Sequence, residues 1–266
     1  MTEIAKKCLL IGINYVKTRM KLNGCINDSN NIKDFLIKNN YYKKEDIIMM
    51  NDYTKGNLYP TKKNMEKQLL NLVEFANKNI GKEVHIFISY SGHGYHVPDK
   101  DGDELDGLDE VLCPVDCQTK GVIVDDWIKK EIINKFHEKT KIVALIDACF
   151  SGTSFDLKYN YKCDENNNCL IEPKQNLTNS DIIMISGCMD TQESADAYLF
   201  DKTSWKYKYQ GAMTASFLEN YKKDTNYYDL LNNMRNWLKE KGFQQIPQLS
   251  SGKIIDTKSS FFLNIF

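Results

Sequence analysis

The 266-residue chain lacks the features that mark membrane, secreted and nucleic-acid-binding proteins. No apolar run approaches the roughly 18 residues needed to cross a bilayer. The N-terminal apolar stretch is too short for a signal peptide and has no small-residue cleavage site. The formal net charge of -1 gives no global attraction to nucleic acid or to a membrane surface. We therefore expect a cytoplasmic protein that binds neither.

Regular cysteine spacing is also missing. The eight cysteines include no CxxC pair, and no secretory signal places them in an oxidising compartment. We therefore expect reduced thiols, some structural and some reactive. Hydrophobic residues make up 42% of the chain, which is enough for a sizeable core, and no internal repeat divides it.

Apolar and amphipathic segments alternate along the chain. Uninterrupted apolar segments predict buried strands at 8–14, 47–51, 84–90, 141–148 and 181–186. Amphipathic stretches predict helices that begin at Asp28 or Ser29, at Thr61 and at Asp125, and helices near 211–222 and 227–241. The C-terminal FFLNIF predicts a last strand. The alternation predicts an α/β protein with a mainly parallel sheet covered by helices on both faces.

Two polar stretches interrupt this pattern. Residues 157–180 are Asn-rich and predict a loop or linker with exposed thiols at Cys163 and Cys169. Residues 99–110 are acidic and predict a solvated hairpin or loop. An EF-hand does not fit, because Glu104 takes the place of the turn glycine and a strand precedes the run.

Two strand ends carry the residue types of a cysteine hydrolase. His93 follows the third strand between two glycines, and Cys149 follows the fourth strand with small residues after it. Ligands of such sheets bind at the carboxyl ends of the strands. There an imidazole can act as base, a thiolate can attack a carbonyl, and backbone N–H groups can hold the oxyanion. The alternative is a buried thiol and a structural histidine.

These stretches, YSGHG and DACFSG, resemble the metacaspases of the caspase-like clan of cysteine peptidases. Other stretches agree in order along nearly the whole chain: GINY, NGCIND, DGLDEVLCPVD, VDDW, SGCMDTQESADA, GAMTASF and PQLSSG. The resemblance implies a caspase-like fold with one peptidase domain over 1–266. Its parts would be large-subunit-like (about 1–157), linker (about 158–180) and small-subunit-like (about 181–266).

The resemblance implies catalysis by a dyad. Cys149 would be the nucleophile and His93 the general base and then acid, while the backbone N–H groups of Gly94 and Cys149 would form the oxyanion hole. The alternative is a catalytically silent regulatory or interaction module. Such relatives typically lose the cysteine or the histidine, and both are present here.

The resemblance also implies an acidic S1 pocket, which holds the substrate side chain before the cleaved bond. Its residues would be Asp28 and Asp147 with Cys25 and Ser91. Paired carboxylates prefer a guanidinium or an ammonium group, so we expect protein or peptide substrates cleaved after Arg or Lys. The N-cap of a helix would explain Asp28 equally well. Only two arginines occur and neither lies in a site motif, which disfavours the aspartate specificity of caspases proper.

Calcium is the cofactor that the resemblance implies, bound by Asp109, Asp125, Asp126 and Asp156. Converging carboxylates repel one another unless a hard cation lies among them. The alternative for Asp125 and Asp126 is that they are acids at a helix start, favoured by the helix dipole. Calcium would act as a switch by ordering the loop after Cys149.

Self-processing is common in the resembled family. The linker offers Lys158, Lys162 and Lys174 as basic cleavage points. Cys188 matches a family position near the active site, although a small core residue explains it better. The long pro-region of many members is missing from this sequence and the linker is short, which is nearer to type I. We expect a monomer, as is general for metacaspases.

Overall fold

The computed structural model describes residues 3–99, 107–149, 154–164, 166–172, 175–187, 196–201, 206–261 and 263. The strands in this part of the chain are β1 (Ile4–Gly12), β2 (Ile47–Asn51), β3 (Glu83–Ser91), β4 (Gly94–Pro98), β5 (Leu108–Leu112), β6 (Ile123–Val124), β7 (Thr140–Asp147), β8 (Tyr159–Tyr161), β9 (Cys169–Ile171), β10 (Asp181–Ser186), β11 (Asp196–Asp201), β12 (Lys206–Gly211) and β13 (Gln248–Ser251). The α-helices are α1 (Cys25–Lys38), α2 (Lys62–Lys78), α3 (Cys117–Lys120), α4 (Asp125–Glu131), α5 (Ala212–Asn220) and α6 (Tyr227–Glu240).

Eight strands form the central sheet, in the order β2-β1-β3-β7-β10-β13-β8-β9. The first five strands of this order are mutually parallel, and the last three are added in antiparallel pairs. The parallel strands β3, β7 and β10 are buried along most of their length, as expected for a sheet that is covered on both faces. The predicted mainly parallel α/β sheet is therefore confirmed.

Alternate residues of the central strands enter two separate cores. On one face, residues such as Ile88 and Ala144 pack with the apolar sides of α2 and α4. On the other, residues such as Phe87 and Val143 pack with α1, α5 and α6. The period of two along each strand thus supplies both layers of helices with a buried apolar surface.

Capping residues in the local sequence define where two of the helices begin. The Thr61 side chain accepts a hydrogen bond from Asn64 N and caps α2, as predicted. The Asn226 side chain caps α6 in the same way by accepting from Asp229 N. Both helices bury one apolar side, and the predicted positions of these two helices are confirmed. No helix in the described part of the chain is both long and apolar enough to span a membrane.

The stretch predicted as a loop or linker contains two strands instead. β8 pairs with β13 and β9 pairs with β8, so this hairpin extends the central sheet. Tyr161 is fully buried in the core beside α6. The prediction of an exposed thiol at Cys163 is also wrong, because that side chain is buried, whereas Cys169 is half-buried.

The chain end also differs from its prediction. Phe261 and Leu263 are the described residues of FFLNIF, and both are buried in the core outside any strand. Their apolar character therefore serves packing.

The acidic run 99–110 is a hairpin where the structure describes it, because β4 and β5 pair in antiparallel register around it.

Candidate active site

The candidate site lies where β3 and β7 end side by side. Ser91 and Asp147, the last residues of these strands, are partners in the parallel register. His93 and Cys149 each follow two residues further on, and both are half-buried. The sheet therefore brings the predicted base and nucleophile to the same edge, as ligand sites of parallel sheets require.

Gly94 lies directly against the Cys149 backbone. A Cβ atom at Gly94 would overlap the carbonyl oxygen of Cys149, so only glycine allows this approach. This contact brings the segment after His93 close to the nucleophile. Residues 150–153, which follow Cys149 in the sequence, lie outside the described part of the chain, as does Cys188.

The His93 ring is held by a contact that defines its basic nitrogen. Nε2 lies 2.7 Å from the carbonyl oxygen of Met20. A carbonyl oxygen only accepts hydrogen bonds, so Nε2 must carry a hydrogen atom. In the neutral ring, Nδ1 is then the nitrogen with the free lone pair, and it is the atom that can receive a proton.

Two buried tyrosines hold the backbone of His93. The Tyr15 hydroxyl accepts a hydrogen bond from His93 N at 3.0 Å and donates one to the Cys113 carbonyl at 2.6 Å. The Tyr90 hydroxyl donates to the His93 carbonyl at 2.7 Å. Tyr15 has φ of 51°, a left-handed conformation that is unfavourable for a bulky residue. Both tyrosines belong to motifs of the sequence, GINY and YSGHG, but no local signal predicts their role at His93.

Asp28 and Asp147, named here the acid pair, come together although they are 119 positions apart in the sequence. Only 1% of Asp28 and 5% of Asp147 is exposed. Ser91 donates its hydroxyl to Asp28 Oδ2 at 2.6 Å. Gly211 touches both acids, because a Cβ atom there would overlap Asp147 Oδ2 and lie 2.9 Å from Asp28 Oδ2. The predicted pocket acids and Ser91 thus form one buried polar cluster.

The role of Asp28 as a helix N-cap is excluded. Gly24 is the N-cap of α1, and Asp28 lies in the first turn with its backbone N–H bonded to the Gly24 carbonyl. Cys25 begins this helix and is buried, with its carbonyl carbon and oxygen close against Gly12. The side chain of Asp28 is consequently used in the cluster with Ser91.

A second acidic group lies near the start of α4. Carboxylate oxygens of Asp125, Asp126 and Asp156 all lie within 4.8 Å of one another. Asp125 and Asp126 also occupy the first turn of α4, so the helix-start interpretation describes their position correctly as well. Two oxygens bound to one calcium ion at about 2.4 Å are at most about 4.8 Å apart, so the spacing of this all-oxygen group fits that ion.

Burial and a neighbouring charge perturb this second group. Burial, and to a lesser extent the charge of the nearby Asp109, raise the pKa of Asp125, which reaches about 7. Hydrogen bonds from the backbone N–H groups of Glu110 and Asp126 act in the opposite direction. Asp109 is buried close to the group, but it is not one of the three residues whose oxygens converge.

Two of the three predicted self-cleavage lysines lie at the ends of β8. Lys158 is half-buried and donates to the Gln175 carbonyl at 2.6 Å. Lys162 is exposed, but its backbone N–H donates to the Asn168 carbonyl at 3.0 Å. Lys174 lies outside the described residues.

Comparison with solved structures concerns the fold. A crystal structure of a Geobacter sulfurreducens protein superposes with a TM-score of 0.65 and 19% identity, over 96% of this chain and 97% of that one. At this identity the likeness concerns the fold alone, and it agrees with the predicted caspase-like α/β fold, which is confirmed.

The particular family follows from the sequence comparisons. Residues 6–158 match the family model described as metacaspase, peptidase C14 domain. Metacaspase-1 of Kluyveromyces lactis is 36% identical over 97% of this chain and 68% of its own length. Metacaspase-1A of Neurospora crassa is 34% identical, over 97% and 65%. The chain belongs to the metacaspase family, as predicted, and it spans about two thirds of the length of these relatives.

Proposed function

We propose that this chain is a cysteine endopeptidase that hydrolyses peptide bonds after Arg or Lys. The observation that carries the proposal is the buried acid pair at the same end of the sheet as Cys149 and His93. Membership of the metacaspase family supports the peptidase activity. The acid pair supports the preference for a basic side chain.

In the proposed reaction, His93 Nδ1 takes the proton of the Cys149 thiol, and the thiolate sulfur attacks the substrate carbonyl carbon. The negative charge moves to the carbonyl oxygen, where the N–H groups of Gly94 and Cys149 stabilise it. The imidazolium then protonates the departing amine. Water, deprotonated by His93, hydrolyses the thioester and releases the new carboxyl end.

The preference for Arg or Lys follows from the energetics of buried charge. Two carboxylates out of contact with water repel each other and are poorly solvated. A guanidinium or ammonium group placed against them relieves both effects and forms charge-assisted hydrogen bonds. An aspartate side chain would add a third negative charge and is therefore disfavoured.

Calcium is proposed as the activating ion of the second acidic group. Asp125, Asp126 and Asp156 offer oxygen ligands at a spacing that suits it, and the nearby Asp109 would strengthen its attraction. A bound cation would neutralise charges that otherwise repel one another. Because Asp156 follows Cys149 by only seven residues, its binding would restrain the intervening segment.

Peptide reporters test the proposed specificity. Wild-type protein should hydrolyse reporters ending in Arg or Lys, leave an Asp reporter intact, and lose this activity in Cys149→Ala. Cys169→Ala, which removes another half-buried thiol, is the matched control and should remain active. No turnover of any reporter by wild type would favour the silent module. Turnover of the Asp reporter would overturn the pocket assignment.

Calcium binding is tested separately from activity. Calorimetric titration of Cys149→Ala with calcium should show binding that Asp126→Asn weakens, whereas Asp34→Asn, an exposed acid elsewhere, should not change it. Chelation should also suppress hydrolysis by wild type. Undiminished activity in excess chelator would remove calcium from the proposal.

Self-cleavage after Lys158, Lys162 or Lys174 is the third part of the proposal. Purified wild type should yield fragments with these ends, and Cys149→Ala should stay intact. Identical fragmentation of the two proteins would exclude self-cleavage and point to another protease.

A further inference from the structure

One short segment, where β12 turns into α5, contacts both members of the acid pair. Gly211 ends β12, and its backbone N–H lies 2.9 Å and 3.0 Å from the two carboxylate oxygens of Asp28. Thr214 is the third residue of α5. Its backbone N–H and its hydroxyl both donate to Asp147 Oδ2, at 2.8 Å and 2.7 Å.

These donors suit two neighbouring buried carboxylates. The first N–H groups of a helix have no partner within the helix, and they lie at the positive end of its dipole. Hydrogen bonds from such groups stabilise the charged form of a carboxylate. The start of α5 therefore offsets part of the repulsion within the acid pair and fixes the direction of the Asp147 carboxylate.

Glycine is required at position 211 because a side chain would clash with its neighbours. The backbone conformation alone would allow any residue. Its φ of -65° and ψ of 133° are open to any residue. A Cβ atom there would nevertheless overlap Asp147 Oδ2 and approach Asp147 Cγ to 2.7 Å. Any side chain at this position would thus displace the Asp147 carboxylate.

We propose that Gly211 and Thr214 are positioning residues for the acid pair, and through it for the basic side chain of the substrate. Gly211 lets the start of α5 lie directly against both carboxylates. Thr214 holds the Asp147 carboxylate in a fixed direction. This inference rests on the proposed cleavage after Arg or Lys, and it gives a role to two residues for which the sequence alone predicts none.

Thr214 is tested by three variants and two reporters. Thr214→Val removes the hydroxyl at nearly constant shape, Thr214→Ser retains a donor, and Thr119→Val is an exposed control. One reporter ends in Arg and the other in the neutral norleucine. We expect Thr214→Val to raise KM for the Arg reporter about tenfold with a smaller change in kcat, as for loss of binding common to ground and transition states. Thr214→Ser should restore most of the affinity, and Thr119→Val should match wild type.

Equal effects of Thr214→Val on both reporters would overturn the positioning role, as would a Thr214→Ser variant no better than Thr214→Val. Failure of wild type to cleave any basic reporter would overturn the proposed function together with this inference. Cleavage of basic reporters with unchanged kinetics in Thr214→Val would overturn the role of Thr214 alone.

Gly211→Ala tests the close contact of Gly211 with the acid pair by a readout besides catalysis. A peptide that ends in arginine is titrated into Cys149→Ala with and without Gly211→Ala, and thermal unfolding of both proteins is recorded. We expect binding to be lost while the unfolding transition stays cooperative. Unchanged binding would overturn the role of Gly211. If Gly211→Ala fails to fold, the Thr214 variants decide the inference.

Discussion

Replacing Asp147 with asparagine should remove one of the two charges that the acid pair offers to a basic substrate. The change is nearly isosteric. An amide whose carbonyl oxygen takes the place of Oδ2 still accepts both hydrogen bonds from Thr214. We therefore expect the fold to persist while the recognition of charge weakens.

The size of the expected loss in kcat/KM follows from the burial of the acid pair. Asp147 is 5% exposed, so a bound cation would be largely screened from water there. Two unit charges 4 Å apart attract by about 4 kcal/mol at an effective dielectric constant near 20. Desolvation of the cation offsets part of this gain, and Asp28 remains, so we expect a loss of about 3 kcal/mol. At about 1.4 kcal/mol per tenfold, kcat/KM for an Arg reporter should fall roughly a hundredfold.

The assay compares kcat/KM of wild type and Asp147→Asn on Arg and norleucine reporters of otherwise identical sequence. Asp34→Asn serves as a control because that acid is exposed and forms an ion pair with Lys33. The norleucine reporter should be hydrolysed equally by all three proteins. Equal losses on both reporters would mean that Asp147 supports the fold or the chemistry. An undiminished rate on the Arg reporter would refute the reasoning.

Three further predictions concern the supporting groups. Tyr15→Phe removes a buried hydroxyl that accepts a hydrogen bond from His93 N. The free energy of unfolding measured in urea should therefore fall by about 1–3 kcal/mol, and an unchanged value would contradict this prediction. Calcium at a hundred times its Kd should raise the Tm of Cys149→Ala by about 5–10 °C, and a similar rise in a variant that also carries Asp126→Asn would exclude the proposed ligands. Burial lowers the pKa of His85 from 6.5, so the unfolded state binds more protons. The free energy of unfolding should therefore fall as the pH drops through 6.5 towards the folded-state pKa of His85. In His85→Gln it should fall less over the same pH range. An equal fall in the two proteins would contradict the assignment to His85.

Local sequence patterns predicted the elements whose signals lie within one segment. The capping threonine and apolar face of α2 occur within 17 residues, and the buried strand β7 is a continuous apolar run. Such signals depend on short-range periodicity and need no information about distant parts of the chain. The parallel centre of the sheet could therefore be predicted from the sequence.

The hairpin of β8 and β9 could not be predicted in the same way. β8 is only three residues long, and its pairing partner β13 lies about 90 residues further along the chain. Polar and Asn-rich flanks hide the apolar contribution of Tyr161, whose ring is fully buried beside α6. The strand exists because of this long-range pairing and burial, which composition does not report.

The sequence alone could not decide whether Asp28 caps a helix or belongs to the acid pair, because the deciding contacts are again long-range. A short-chain acid shortly after a glycine fits a helix N-cap, and the local sequence holds nothing against that reading. The structure places the helix start at Gly24, so Asp28 is one turn too late to cap the helix. Its oxygens bond instead to Ser91 and to Gly211, which lies 183 residues away. A buried carboxylate needs hydrogen-bond donors, and these come from other strands and from the start of another helix. The function of such an acid therefore becomes visible only once the fold has brought its partners together.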